Sequence, residues 1–278
     1  MTCSSDDHLK QLVVQTKSLL ESIGGTEVLR EELGYYEPSR LRTQFPTMSH
    51  IHVRLSDSVR NTARMRLVIT DDRFEVIANQ LISHTLASIC GGGLDLVTGI
   101  AEASCRVSEN EQKEKKSWIT FKQGVVDAAC YLKRFRGPTE FYGYVDSNAD
   151  TVDRAWSLAL ELDSIKGIGP TLACDFLKEI GVDRYGKPDV HIKRIFSRLK
   201  LIGKNNQDRE AFGVIWQISR LTSYSPAVID KILWMAASGR WDRTLDKQLD
   251  RVARKKQQMW RKERFSNLMD NFLQVIER

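Results

Sequence analysis

The chain has 278 residues and a formal net charge of +6, enough for one large domain or two modest ones with a proper core. It contains only 17 Gly and 6 Pro, which argues against long disordered segments. No apolar run approaches the roughly 18 residues of a membrane span, and the start MTCSSDDHLK lacks the basic and apolar regions of a secretory signal. We therefore expect a soluble intracellular protein, cytoplasmic if its source is prokaryotic.

The cysteines are odd in number and widely spaced. They offer neither a disulfide framework nor a C-x-x-C metal site, so buried reduced thiols are the expected state. The five are Cys3, Cys90, Cys105, Cys130 and Cys174.

Hydrophobic periodicity is helical throughout, and no strand alternation or fixed-period repeat stands out, so we predict an all-α fold. Gly24 and Gly25 end the first helix, and Gly91 to Gly93 break a later one. Up to residue 163, the predicted helices in chain order are 6–23, 74–90, 94–108, 118–135 and 151–163, and the predicted loops or linkers are 37–54, 110–116 and 136–150; further helices are predicted after Pro170, Asp189 and Pro226 and in the basic tail.

Basic side chains surround a single carboxylate between residues 187 and 204, where Asp189 is the only acid. Together with a pI of 9.0, this is compatible with a polyanionic partner. The tail after Arg240 is predicted to form another basic helix. Such a helix is more often a charged, solvent-exposed surface helix than a nucleic-acid-binding arm. The basic residues of the first group are Lys187, Lys193, Arg194, Arg198, Lys200 and Lys204.

A tight turn joins two predicted helices within residues 151–181. Its sequence, SIKGIGP, leaves the backbone amides around Gly167 and Gly169 unobstructed by side chains. The second helix begins at Pro170, so its N–H groups and positive dipole end favour an anion at the same position. Taken alone, this pattern is more typical of a structural turn between helices.

The following segment changes that interpretation. The stretch PDVHIKRIFSRL starts as a loop and becomes a helix with Asp189 at its beginning. Together with IKGIGPTLACDFL, it resembles the helix-hairpin-helix, Gly/Pro-rich loop, Asp superfamily of DNA glycosylases, which includes endonuclease III and the adenine, alkyladenine and 8-oxoguanine glycosylases. The resemblance spans about residues 72–240 and is strongest over 160–203.

The resemblance implies two helical lobes with a DNA-binding cleft between them. Residues 1–70 would be a helical segment of the second lobe. Residues 71–203 would be a central helical domain that holds the hairpin (151–181) and the catalytic Asp loop (186–200). Residues 204–278 would complete the second lobe and carry the basic tail.

By resemblance, Asp189 would be the catalytic residue, stabilising an oxocarbenium-like sugar while the base leaves. Its alternative role is a simple helix N-cap. Bifunctional relatives carry a lysine nucleophile where this chain has Thr171, which cannot form an imine, so an enzyme without lyase activity is implied. The implied DNA-binding residues are Lys166, Gly167, Gly169, Thr171, His191 and Lys193. Lys166 could equally be an exposed turn lysine, and the alternative for His191 is a helix-surface histidine.

The helix over 74–90 matches the family region that contributes to the base pocket. Its polar residues Gln80, His84 and Thr85, with Trp118 as an aromatic candidate, form the predicted pocket. Singly, each is more often a core or surface residue.

No cofactor is expected. No cysteine follows Cys174, so the iron–sulfur cluster of some relatives has no ligands here. The carbonyl groups of Ile165 and Ile168 match those that bind Na⁺ or K⁺ weakly in relatives.

The sequence therefore predicts a monomeric, monofunctional DNA glycosylase of base-excision repair. Its partner would be double-stranded DNA with a damaged or modified base, with no membrane involved. Two alternatives remain open: a non-catalytic DNA-binding protein that keeps the hairpin, and an anti-phage glycosylase acting on hypermodified bases.

Overall fold

The structure is a computed structural model that describes residues 5–61, 65–104, 115–241, 244–246 and 249–276. Every regular element in these ranges is a helix and none is a strand, which confirms the all-α prediction. Cys3, Cys105 and residues 110–114 of the predicted linker lie outside the described residues.

The contacts divide the chain into two units. A terminal unit comprises Met1–Arg40 and Asp183–Arg278, and a central unit comprises Leu41–Val182. This division differs from the expected boundaries: residues 41–70 belong to the central unit, and residues 183–203 belong to the terminal unit. The cause is tertiary packing that sequence order does not reveal.

The helices of the terminal unit are α1 (Ser5–Gly24), α2 (Thr26–Gly34), α12 (Val190–Arg198), α13 (Gln207–Leu221), α14 (Pro226–Ser238) and α15 (Arg251–Ile276). Those of the central unit are α4 (Met48–Arg60), α5 (Met65–Val68), α6 (Asp71–Ser83), α7 (Leu86–Ser104), α8 (Lys115–Leu132), α9 (Pro138–Ser147), α10 (Val152–Glu161) and α11 (Pro170–Glu179). The short helix α3 (Pro38–Arg42) crosses the boundary.

The predicted loop over 37–54 is wrong, because α3 and most of α4 lie there. Thr47 caps α4 by accepting a hydrogen bond from the His50 N–H. The apolar residues Ile51, Leu55 and Val59 of α4 recur at helical spacing and are fully buried. This buried face packs on α8 and α11, which explains why residues 41–70 join the central unit.

The predicted loop over 136–150 is also wrong. Pro138 occupies the first turn of α9, where its missing N–H costs no intrahelical bond. Phe141 and Val145 are buried at consecutive turns of this helix. Proline marks the start of a helix here.

The predicted helix over 74–90 is interrupted earlier than expected. Helix α6 ends at Ser83, His84 is extended, and the Thr85 hydroxyl starts α7 by accepting a hydrogen bond from the Ser88 N–H at 3.1 Å. Helix α7 then continues through the glycines with a kink at Gly93, where φ is +56°. The expected break is thus a kink.

A disulfide joins Cys90 of α7 to Cys130 of α8, so the expectation of reduced thiols is wrong for this pair. The two residues are 40 positions apart, and they meet because α7 and α8 pack closely along their lengths. Cys174 is a buried thiol outside any disulfide, as expected.

One helix among the described residues is long and apolar enough to cross a membrane by length and composition alone. It is the stretch Leu86–Ala103 of α7, with mean hydropathy 1.2 and 22% of its residues buried. This corrects the expectation that no segment approaches a span. The core helices of soluble proteins pass the same test, so the feature is weak evidence for a membrane.

The terminal unit is built around α14, which packs on α1, α12, α13 and α15. The predicted helix over 6–23 is confirmed by α1. Ser225 caps α14 by accepting a hydrogen bond from the Val228 N–H, and Pro226 follows at its first position. Buried Phe265, Met269 and Phe272 anchor α15 to this core.

Candidate nucleic-acid interface

The glycine-rich turn between α10 and α11 is anchored by its apolar residues. The Ile165 carbonyl accepts a hydrogen bond from the Ile168 N–H at 2.9 Å, which closes a tight turn. Both isoleucines are buried, at 1% and 2% exposure. Gly167 has φ of +87°, a left-handed conformation that side chains disfavour, so the turn requires glycine there.

Helix α8 contacts the backbone of this turn. The Asp127 side chain accepts a hydrogen bond from the Lys166 N–H at 3.0 Å. One turn earlier, a Cβ on Gly124 would lie 2.3 Å from the Lys166 carbonyl oxygen, so close approach requires glycine at that position. Sequence reasoning missed both residues, because they lie far from the hairpin in the chain and carry no motif.

The start of α11 is open. Gly169 is its N-cap, and a Cβ at that position would meet no atom within 4 Å. The first N–H groups of an α-helix have no carbonyl partner within the helix, and their partial charge favours an anion. The Lys166 side chain is exposed and Thr171 is half-buried. The predicted hairpin residues therefore lie together around one helix N-terminus.

Asp189 is the N-cap of α12. Its Oδ1 atom accepts hydrogen bonds from the N–H groups of His191 at 2.8 Å and Ile192 at 3.1 Å. Its Oδ2 atom accepts no hydrogen bond from the described part of the chain. The capping role anticipated for Asp189 is thus real, and it leaves one carboxylate oxygen available.

Helix α14 anchors the loop that leads to Asp189. The Lys187 N–H donates a hydrogen bond to Asp230 at 3.1 Å. A Cβ on Gly186 would lie 2.8 Å from the Pro226 carbonyl oxygen, so the loop backbone packs directly on the start of α14. Asp189 therefore sits on a supported loop, which suits a residue that must keep its orientation.

Positive charges surround His191, which is half-buried on the first turn of α12. Partial burial lowers the pKa of its imidazole, and the nearby charges of Lys262, Arg194 and Arg240 lower that pKa further. The Asp189 carboxylate opposes them by favouring the imidazolium. The basic tail thus reaches this site through Lys262 of α15.

Lys193 differs from the other predicted DNA contacts. Its Nζ atom lies 2.6 Å from the Asp208 carboxylate, in an ion pair within the terminal unit. A phosphate would have to compete with that pair, which makes Lys193 a weaker candidate than its neighbours.

No family model, no curated protein and no solved structure matches this chain. Its functional assignment therefore depends on its own residues.

Three of the predicted pocket residues meet at the corner between α6 and α7. His84 Nδ1 lies 2.8 Å from the Gln80 carbonyl oxygen, and Thr85 uses its hydroxyl to cap α7. Trp118 is instead a core residue of α8, 8% exposed and edge-to-face with Phe121 at 6.2 Å. Its burial argues against a stacking role.

No group of three or more His, Cys, Asp or Glu side chains in the described ranges could hold a metal ion. At the hairpin, the Ile165 carbonyl already accepts the Ile168 N–H. The two carbonyl groups are fewer oxygen ligands than a cation normally takes, so the Na⁺ or K⁺ site remains a prediction without further support.

Proposed function

We propose that this chain is a monofunctional DNA glycosylase that removes a damaged or modified base from duplex DNA and leaves an abasic site. The observation that carries the proposal is the environment of Asp189. Its Oδ1 atom is fixed by two backbone N–H groups, its Oδ2 atom has no described partner, and cations lie around the adjacent His191. A carboxylate among cations suits a sugar that becomes positive beside an anionic phosphate.

The hairpin supplies a second, independent line of support. Its open helix N-terminus at Gly169 and exposed Lys166 are suited to a backbone phosphate. Such contacts carry no sequence information, which fits a protein that must examine any duplex for a rare base.

The proposed reaction begins when a nucleotide is flipped out of the duplex. The bond between C1′ and the base nitrogen breaks, and its electron pair leaves with the base. The Asp189 carboxylate stabilises the positive sugar and accepts a proton from the water that adds to C1′. Thr171 stands where a lysine nucleophile would be needed, so no Schiff base forms and the strand stays intact.

The test uses a panel of labelled duplexes that carry uracil, hypoxanthine, 8-oxoguanine, alkylated purines or hydroxymethylated pyrimidines. Strand breaks are scored before and after hot alkali. We expect breaks on one substrate only after alkali. Asp189→Asn should reduce that signal by about 100-fold or more while duplex affinity stays within about twofold, because asparagine caps a helix as well as aspartate.

Asp250 provides a matched control. It caps α15 through the same geometry, with one oxygen that accepts the N–H groups of Val252 and Ala253 at 2.8 Å each. Asp250→Asn should leave excision unchanged. Full excision by Asp189→Asn would refute the catalytic role, and tight duplex binding without product on any substrate would favour a non-catalytic DNA-binding protein.

A further inference from the structure

The charges of Arg194, Arg240 and Lys262 all act on His191, and the three residues come from separate segments of the terminal unit. Arg194 lies on α12, Arg240 lies just after α14, and Lys262 lies on α15. All three side chains are exposed. Their convergence on one histidine arises from tertiary packing, since they span more than sixty positions in the sequence.

Two surface side-chain contacts link α15 to α12. Arg198, one turn after Arg194, contacts both Asp270 and Ser266 of α15. Lys262 lies one turn before Ser266, so the same side of α15 continues toward Arg194 and His191. The charge effect of Lys262 on His191 is consistent with this alignment.

Buried contacts also hold the segment that carries Arg240. The Gly239 carbonyl accepts a hydrogen bond from the Arg261 guanidinium at 3.1 Å, and the same guanidinium pairs with Asp246 at 2.8 Å. Both members of the pair are almost fully buried, at 5% and 2% side-chain exposure. The backbone at Arg240 is therefore held against α15 beside Lys262.

The three cations differ from their neighbours in their lack of partners. Arg198 pairs with Asp270, Lys193 with Asp208 and Arg261 with Asp246. Arg194, Arg240 and Lys262 form no ion pair with an acid anywhere in the described ranges. Three exposed cations outnumber the single Asp189 carboxylate beside them and repel one another, and an external anion relieves that repulsion.

We propose that Arg194, Arg240 and Lys262 bind a backbone phosphate of the DNA strand whose sugar faces Asp189. This inference rests on the proposed function and extends it, because it makes the C-terminal helix α15 part of the DNA interface. A nucleotide combines an anionic phosphate with a sugar that turns positive as its base leaves. A site with cations beside a carboxylate therefore fits a nucleotide, which carries both charges. It fits an anionic membrane surface less well, because that surface offers no positive group for the carboxylate.

The experiment measures duplex affinity against salt concentration for the full chain and for Arg240→Gln, Lys262→Gln and the double variant. Each single variant should make the slope of log K against log salt shallower, and the double variant should lose up to about 0.9, the full contribution of one phosphate. Lys256→Gln removes the same charge from another side of α15 and should leave the slope unchanged.

Two outcomes overturn the proposal. Unchanged slopes in both single variants and in the double variant would exclude phosphate binding by these cations. Binding of the wild type to anionic phospholipid vesicles rather than to duplex, with loss in the variants, would assign the cations to a membrane surface.

The same samples are assayed for abasic product, which separates the two proposals. Product with unchanged slopes would leave the glycosylase intact and remove the phosphate site. Shallower slopes without product on any substrate would keep the phosphate site and remove the glycosylase.

Discussion

His52 shows how strongly the core controls a single side chain. It lies fully buried on α4, and its Nε2 atom is 2.8 Å from the Val125 carbonyl oxygen of α8, so a neutral ring protonated at Nε2 donates there. Its Nδ1 atom is buried with no hydrogen-bond partner in the described structure. Burial therefore lowers the pKa of His52 to about 4, although the hydrogen bond to Val125 opposes the shift.

The stability of the fold should depend on His52 in acid. The unfolded chain binds a proton near the ordinary pKa of 6.5, whereas the folded chain does so only near 4. Stabilisation is therefore complete above pH 6.5 and is lost as the pH falls toward 4, by about 3 kcal/mol in total.

Urea unfolding of the wild type and of His52→Gln between pH 7 and pH 4 tests this expectation. The glutamine amide can still donate to Val125 but does not titrate, so the variant should lose less stability over that range. Equal losses in both proteins would contradict the assignment.

At the scale of elements, one side of the hairpin packs against α8 and the other side faces open space. Gly124 and Asp127 of α8 hold the Lys166 backbone, while Gly169 opens onto free space at the start of α11. Substitutions on the side that packs against α8 are expected to disturb folding. Substitutions on the open side are expected to change ligand affinity alone.

Gly169→Asp should therefore weaken binding to every duplex alike, by about tenfold or more, because its carboxylate repels the phosphate. Gly169→Ala should bind as the wild type does, because the new Cβ meets nothing within 4 Å and the φ of −97° suits any residue. Titration of one undamaged and one damaged duplex measures both effects. A loss of affinity in Gly169→Ala, or a loss confined to one duplex, would argue against a general phosphate contact.

Short sequence patterns predicted the elements well where neighbouring residues determine the structure. The turn at Gly167 and the capped helix at Asp189 are both described by short consecutive patterns, and the structure contains both. Helices α4 and α9 were missed, although Thr47 is a good N-cap residue and Pro138 is compatible with a helix start.

The remaining features depend on distant contacts. Nothing in the sequence near the hairpin indicates that Asp127 accepts the Lys166 N–H. In the same way, Lys262 and Arg240 reach His191 only because α15 packs against the end of α14. Such residues become visible only when the tertiary packing is known.

At the scale of the whole molecule, the link between Cys90 and Cys130 conflicts with the expected intracellular setting. Disulfides persist in oxidising compartments and are rare where glutathione keeps thiols reduced. Both cysteines are half-buried, and they close a loop over a sequence separation of 40 residues. The redox state of this pair in the cell would therefore bear directly on where the protein works.

Loss of the disulfide should lower the free energy of unfolding by about 2 to 4 kcal/mol, because the unfolded chain regains the entropy of an open loop. Urea unfolding without reductant compares the wild type with Cys90→Ser and Cys130→Ser. Addition of dithiothreitol should bring the wild type to the level of the variants. Equal stability of all three proteins without reductant would indicate that the bond does not form.

The interrupted chain course of the terminal unit constrains the order in which the protein can be made. Helix α1 packs on α13, α14 and α15, and the complete central unit lies between these partners in the sequence. On the ribosome, residues 41–182 emerge as one uninterrupted stretch that can gather its own core first. The surface of the first helix that packs on α13, α14 and α15 stays uncovered until these helices emerge, and during that interval it is open to chaperones and to aggregation.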